Sequence, residues 1–429
     1  MKRNTIIIIL CFLSSINICV AQKQAEVLTY APAEAAGCSP ERLARLDSNM
    51  SNWVKKNWIN GSVALIARKG KIVFHKAYGY NDIETKMPLD KNGIFRVASQ
   101  TKAITTVAAL MLWEEGKFSL DDPVFKYIPA FYTTQVLKTF NDKDTTYTTV
   151  PAKRPITIRD LLTHTSGLGY PAIGTPEENA IYAKGNMTGG VGTKNQKLSD
   201  AMTRLAGLPL FFQPGEKWKY GLNTDVLGYL IEIWSGMSLE AFFEKRIFKP
   251  LDMKDTYFNV PAEKASRLVN FFQEDSTGTK KQATVFNGAL DLNYPLQKTD
   301  YFSGGGGLSS TIKDYAIFLQ MLLNDGQYNG VRLLGRNSVR MMTMNQIGDL
   351  FVNATENKFG FGFSIITENG SRLGPSQAGT YAWGGVFSTT YFVDPKEDMI
   401  VLLYRQIWGP HVADTDRAFK PLVYQAIND

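Results

Sequence analysis

The chain has 429 residues, 44% hydrophobic and 20% charged, with a formal charge of +7. That balance supports a sizeable core, excludes a disordered chain, and at about 100–200 residues per domain predicts two lobes or one composite domain. The chain has no long basic run, which argues against a nucleic-acid partner. Its only histidines are His75, His164 and His411, with no H-E-x-x-H or paired C-x-x-C, so neither a metal nor a cofactor is expected.

The first segment, Met1-Lys2-Arg3-Asn4, is basic and leads into an apolar run from Thr5 to Val20 that closes on Ala21. This is the pattern of a secretory signal peptide over residues 1–21, and the run is shorter than the roughly 20 apolar residues a membrane span needs. A lipobox ending at Cys19 fits less well, because Ile18 stands where a small residue is wanted. Cleavage after Ala21 predicts a protein carried across the inner membrane to the periplasm, with no remaining membrane span. It removes Cys11 and Cys19, so Cys38 has no partner for an internal disulfide.

Beyond the leader, Leu43, Leu46, Met50, Trp53 and Val54 recur at helical spacing, predicting a helix over residues 40–58. Residues 62–80 alternate around Arg68-Lys69-Gly70-Lys71, the pattern of a β-hairpin. Ala103 to Trp113 carries no charge and predicts a helix buried on all sides. From Phe118 onward the pattern is helical, joined by long polar loops at 138–155 and 171–192. After Gly304-Gly305-Gly306-Gly307, residues 309–324 predict an amphipathic helix. Strands follow at 359–366, 381–393 and 399–404, and a helix at 415–427 closes the chain. The predicted fold is α+β: an antiparallel sheet with flanking helices built from residues 22–117 and 300–429, with an all-helical lobe inserted at 118–299.

For chemistry, a serine nucleophile needs a nearby base and donors for the oxyanion. No G-x-S-x-G occurs; Gly374-Pro375-Ser376-Gln377-Ala378 misses at its last residue, and three histidines supply a Ser-His-Asp triad poorly. S-x-x-K, which puts both side chains on one helical face, occurs at Ser99–Lys102 and at Ser310–Lys313. Lys313 falls in the first turn of the amphipathic helix, where a solvated lysine costs little, and Ser309 or Ser310 reads as its cap. Lys102 opens the all-apolar helix, where burial would depress its pKa toward that of a general base. A capping Ser99 beside a snorkelling Lys102 is the alternative reading.

Phe95–Lys102 (FRVASQTK), followed by Leu110–Pro123, resembles the first motif region of the serine β-lactamase and penicillin-binding-protein superfamily, and most closely class C β-lactamases and family VIII carboxylesterases. Ile156–Leu168, Phe212–Gly215 with Trp218–Gly228, Ile247–Phe258, Gly305–Asp314 and Trp383–Pro395 continue the likeness in order, and they favour Ser99 over Ser310. The resemblance implies a β-lactamase-like fold and a serine hydrolase acting on a small-molecule ester or amide. It makes Ser99 the nucleophile, with Lys102 and Tyr220 as the acid–base pair.

The family's Y-x-N motif reads Tyr220-Gly221-Leu222 here. Asn223, one place late, is expected to cap the following helix. The K-T-G position holds Trp383-Gly384-Gly385, as in many family VIII esterases. By position, the N–H groups of Ser99 and Val386 would form the oxyanion hole. Loss of the asparagine and lysine points to carboxylic esters. A β-lactamase or D-alanyl-D-alanine-type peptidase is the first rival, and a non-catalytic envelope binding protein the second. His164 carries no family role and is expected to be structural, and the glycine run is expected to bend beside the site.

Overall fold

The computed structural model describes residues 27–353 and 355–429. The expected signal peptide, with Cys11 and Cys19, lies outside the described residues. Among the described residues no single helix is long and apolar enough to cross a membrane.

The first half of the main sheet forms early in the chain. Strand β1 (Thr29–Tyr30) is followed by helix α1 (Pro40–Lys55), with Pro40 at its first position and the Ser39 hydroxyl accepting from Arg42 N–H. Strands β2 (Gly61–Arg68) and β3 (Lys71–Asp82) form the predicted hairpin. Its two-residue turn, Lys69-Gly70, has φ of 52° and 70°, the left-handed pair that matches the twist of antiparallel strands. Short strand β4 (Phe95–Arg96) leads into helix α2 (Thr101–Glu114), which is buried from Thr101 to Leu112 as its composition predicts.

The segment 118–299 departs from the all-helical expectation. Strands β5 (Gln135–Phe140) and β6 (Tyr147–Pro151) pair as a hairpin where a polar loop was expected. Its run of threonines, Val150 and Tyr147 has strand propensity that outweighs its polarity. Helix α3 (Ile158–Thr163) and helix α4 (Pro176–Lys184) both start with capping boxes, Thr157/Asp160 and Thr175/Glu178. Helix α4 therefore occupies the middle of the second expected loop. Helices α5 (Leu198–Ala206) and α6 (Asn223–Ser235) follow, then strands β7 (Thr256–Tyr257), β8 (Phe272–Glu274) and β9 (Lys280–Gln282).

In the last third, Ser309–Ser310 form strand β10, and helix α7 runs from Ile312 to Leu323. Thr311, not Ser309 or Ser310, caps α7. This helix is not amphipathic, since residues 312–322 are buried except Lys313. The expected strand at 359–366 is a tight pair, β11 (Lys358–Phe359) and β12 (Ser364–Ile365). Strands β13 (Tyr381–Gly385), β14 (Thr389–Asp394), β15 (Met399–Tyr404) and β16 (Ile407–Trp408) precede helix α8 (Val412–Tyr424).

The main sheet runs β1-β3-β2-β15-β14-β13-β12-β11, antiparallel throughout except for the β1–β3 pair. Chain ends meet at its centre, where Ala64 pairs with Leu403 and Leu65 with Leu402. Alternation along β2 and β15 sends Ala64, Ile66, Val401 and Leu403 into the core shared with α1 and α8. Val63, Leu65, Leu402 and Tyr404 face the larger core that holds α2, α6 and α7. A second small sheet, β4-β10-β7, ties the chain before Ser99 to the chain after the glycine run.

Candidate active site

Ser99 lies in the tight turn that starts α2, at the positive end of the helix dipole. Ala98 just before it has φ of 45°, a left-handed conformation that costs a non-glycine residue energy and must be held by its surroundings. Thr101 does this: its hydroxyl donates to Ala98 O (2.7 Å) and accepts from Leu308 N–H (3.1 Å). Tyr315 of α7 and Tyr404 of β15 donate to Gln100 O (2.8 Å) and Gln100 Oε1 (2.6 Å), fixing the first turn to the core.

Lys102 is 2% exposed. Its Nζ donates to Gly305 O (2.6 Å), stands 3.5 Å from Ser99 Oγ and lies 4.4 Å from the Tyr220 ring centroid. Tyr220 donates its phenol O–H to Ser99 Oγ (2.6 Å). Serine, lysine and tyrosine thus meet, although Tyr220 is 121 positions from Ser99.

The Tyr220 ring is packed by three aromatic side chains. His164 stacks at 5.2 Å and Tyr170 at 5.6 Å, with Trp383 tilted against it at 5.6 Å. His164 is buried, as a structural histidine should be, and burial together with the Lys102 charge holds its pKa well below the usual histidine value. Its Nδ1 accepts from Asn223 Nδ2, 2.9 Å away, while Asn223 Oδ1 accepts from Ser166 Oγ (2.5 Å). Asn223 is therefore not a helix cap. It is a buried strut that fixes the loop under Tyr220, and Leu222 takes the cap position without a side-chain bond. Gly221 is required by close approach, since a Cβ there would sit 2.1 Å from Leu168 O. Lys219 pairs with the fully buried Glu178 of α4 at 2.6 Å, latching that helix to the tyrosine segment.

The glycine run bends beside the site as expected. A Cβ on Gly305 would lie 2.3 Å from Asp225 Oδ2 and 3.5 Å from Lys102 Nζ. Asp225 was not singled out from sequence. It looks there like an ordinary acid in the first turn of α6, and its only distinguishing mark is a charge ahead of the apolar stretch VLGYLI. It is fully buried and accepts from Ser303 Oγ (2.7 Å). Burial pushes its pKa up to about 6, while the Lys102 charge, the Ser303 hydroxyl and the Gly305 N–H act in the opposite direction.

The other expected contributors come from β13. Trp383 packs against Phe359 (5.5 Å) and Trp218 (6.5 Å) on the Tyr220 side. Gly385 reaches the chain before the nucleophile, where a Cβ would sit 2.3 Å from Val97 O. Gly384, Gly385 and the exposed Val386 border a cavity of about 390 Å³ walled by Trp408, Val412 and Ala413.

The alternative S-x-x-K is not assembled: Ser310 Oγ bonds Thr256 Oγ1 (2.7 Å), and Lys313 is exposed over Tyr30. His75 bonds Tyr30, and His411 stacks on Trp58 and meets Asp414.

Residues 46–425 match the Beta-lactamase family. Esterase EstB of Burkholderia gladioli is 30% identical over 86% of this chain and 92% of its own. Lovastatin esterase of Penicillium rubens is 30% identical over 89% of this chain and 98% of its own. Among solved structures, EstCE1, described as a hydrolase with promiscuous acyltransferase activity, superposes with a TM-score of 0.76 at 26% identity, covering 90% of this chain and 99% of its own. A serine, lysine and tyrosine converging at the start of a buried helix on this fold define a serine hydrolase. The chain belongs to the β-lactamase family, and its relatives include carboxylesterases.

Proposed function

We propose that the protein is an exported esterase that cleaves carboxylic esters through an acyl-enzyme on Ser99. The observation that carries this reading is the three-way contact of Ser99 Oγ with the Tyr220 hydroxyl (2.6 Å) and Lys102 Nζ (3.5 Å). In the acylation step the Tyr220–Lys102 pair works with one proton fewer than a phenol beside an ammonium, and Ser99 Oγ bonds to the ester carbonyl carbon as its proton passes to the pair. The pair then gives that proton to the departing alkoxide as the C–O bond breaks. Deacylation repeats the sequence with water as nucleophile. A Lys102 ammonium 4.4 Å from the Tyr220 ring centroid would favour negative charge on the phenol. The N–H groups of Ser99 and Val386 receive the oxyanion, aided by the α2 dipole.

Esters are favoured over β-lactams by two side chains. Leu222 offers no amide to a substrate acylamino group, and Trp383 presents an aromatic wall in place of a cation for a carboxylate. The similarity to EstB and lovastatin esterase supports the same choice. The periplasmic location rests on the leader at residues 1–21, and mass spectrometry of the exported protein should find Gln22 at its start.

The test is the initial rate of the residue 22–429 protein on p-nitrophenyl butyrate and on a chromogenic cephalosporin, with Ser99→Ala alongside. Ester turnover that exceeds cephalosporin turnover and falls by about 10³-fold or more in Ser99→Ala is the expected result. Dominant cephalosporin turnover would instead make the protein a β-lactamase. Equal rates for wild type and Ser99→Ala on both would leave a non-catalytic binding role.

A further inference from the structure

The two N–H groups assigned to the oxyanion hole belong to segments far apart in the chain: Ser99 follows β4, and Val386 opens the turn between β13 and β14. An oxyanion hole works only if its donors stay about 2.7–3.1 Å from the developing charge, so the spacing between these segments matters directly to rate. A side chain that joins them is Gln406, just after β15 and 1% exposed. Its Oε1 accepts from Arg96 N–H (3.3 Å) and from Arg96 Nη1 (3.2 Å). Its Nε2 donates to Arg96 O (3.2 Å) and to Phe387 O (3.3 Å).

One carboxamide therefore pairs with Arg96 as a neighbouring strand would, three residues before the nucleophile. The same amide holds the carbonyl of Phe387, the residue after Val386. The turn needs such a hold, because Ser388 has φ of 70°. Its other ties return to the same short stretch: Arg405 N–H donates to Ser388 O (3.2 Å) and Ser388 Oγ to Ile407 O (2.5 Å). Gln406 is anchored in turn by Phe272 N–H, which donates to its carbonyl (2.9 Å). A buried amide bonded at both its oxygen and its nitrogen has little freedom to drift.

We propose that Gln406 is a positioning residue that sets the spacing between the Ser99 and Val386 N–H donors. The proposal rests on the esterase reading above. Gln406→Met keeps length and volume but removes the bridging bonds, and Gln406→Asn keeps the amide but shortens its reach. Each variant is followed by thermal melting, by kcat and KM on p-nitrophenyl butyrate, and by affinity for phenylboronic acid, whose tetrahedral serine adduct places an oxygen in the hole.

The expected result is a cooperative melt, KM within about threefold of wild type, and kcat and boronate affinity falling together by about tenfold to a hundredfold. A role confined to stability would lower the melting temperature and leave both quantities within about twofold, which overturns the proposal. If Gln406→Met does not fold, Gln406→Asn is judged by the same criteria. Fluorophosphonate labelling of wild-type Ser99 separates the two claims. Labelling with unmoved boronate affinity in the variants defeats the Gln406 assignment alone, and no labelling of wild type defeats the esterase reading and this proposal with it.

Discussion

Tyr220 shows how much of the site depends on single side chains. Its ring is packed by His164, Tyr170 and Trp383, whereas its hydroxyl makes the 2.6 Å contact with Ser99. Tyr220→Phe keeps the packing and removes the contact, so kcat should fall by about 10²–10⁴ with KM little changed. Steady-state kinetics beside a melting curve decide this; a fall in melting temperature without loss of kcat would make Tyr220 a core residue. Asp225 makes a separate prediction through pH. Its folded pKa of about 6 stands above the unfolded 3.8, so the folded state holds the proton more tightly. Its contribution to stability is then most favourable below pH 4 and is lost as pH rises through 6, by roughly 3 kcal/mol for a fully buried group. Asp314, also pushed up to about 6 by burial, adds a limb of the same sign, so the informative quantity is the difference between Asp225→Asn and wild type. That difference in melting temperature should grow in favour of the variant between pH 4 and 7. A difference that does not change with pH would mean Asp225 stays charged throughout.

At the scale of elements, the base-bearing segment 219–222 is held by a helix that the sequence nearly concealed. Glu178 completes the α4 capping box by accepting from Thr175 N–H (2.7 Å), and it also pairs with Lys219, next to Tyr220. Glu178→Ala removes both, and since Lys219 is part-exposed the cost should be about 2–4 kcal/mol, below that of a fully buried pair. Urea melts should show this loss together with a lower kcat; a loss of stability with unchanged kcat would mean that α4 does not help to hold Tyr220. The capping box Thr175-Pro176-Glu177-Glu178 lay inside a stretch that reads as a polar loop, whereas the buried α2 and the Lys69-Gly70 hairpin turn were legible because each is a local pattern. The Ser99–Lys102 pair was legible for the same reason. What escaped depends on neighbours distant in sequence. α7 looks amphipathic until the main sheet and α2 cover it, Asn223 looks like a cap until His164 and Ser166 come to meet it, and Asp225 looks like a surface acid until the glycine run closes over it. The β5–β6 strands were hidden because their polar residues face solvent on both sides, so period-two alternation is weak there.

At the scale of the molecule, the order of strands makes the C-terminus a condition of the site. β15 lies between β2 and β14, so residues near the end of the chain complete the centre of a sheet begun near its start. Loop closure over more than 300 positions must precede that pairing, an arrangement that makes folding slow and leaves β2 and β14 without their shared neighbour until β15 arrives. Tyr404 of β15 also holds Gln100, and Gln406 holds Arg96, so the same segment fixes the Ser99 turn. Ending the chain at Asp398 should therefore abolish cooperative melting and fluorophosphonate labelling together. The β5–β6 hairpin makes the opposite prediction: it is exposed over most of its tip, with Val136 as its buried attachment and a bond from Lys184 of α4 to Thr145 O (2.8 Å) at its tip. Replacing residues 139–148 with a two-residue Asn-Gly turn should keep both the melt and the labelling, at a cost of about 1 kcal/mol or less, as expected of a surface loop far from the core. Melting curves and labelling on the two proteins test the pair of expectations. If the chain ending at Asp398 still labelled at Ser99, the turn would be held by α2 and α7 alone, without the C-terminal strands.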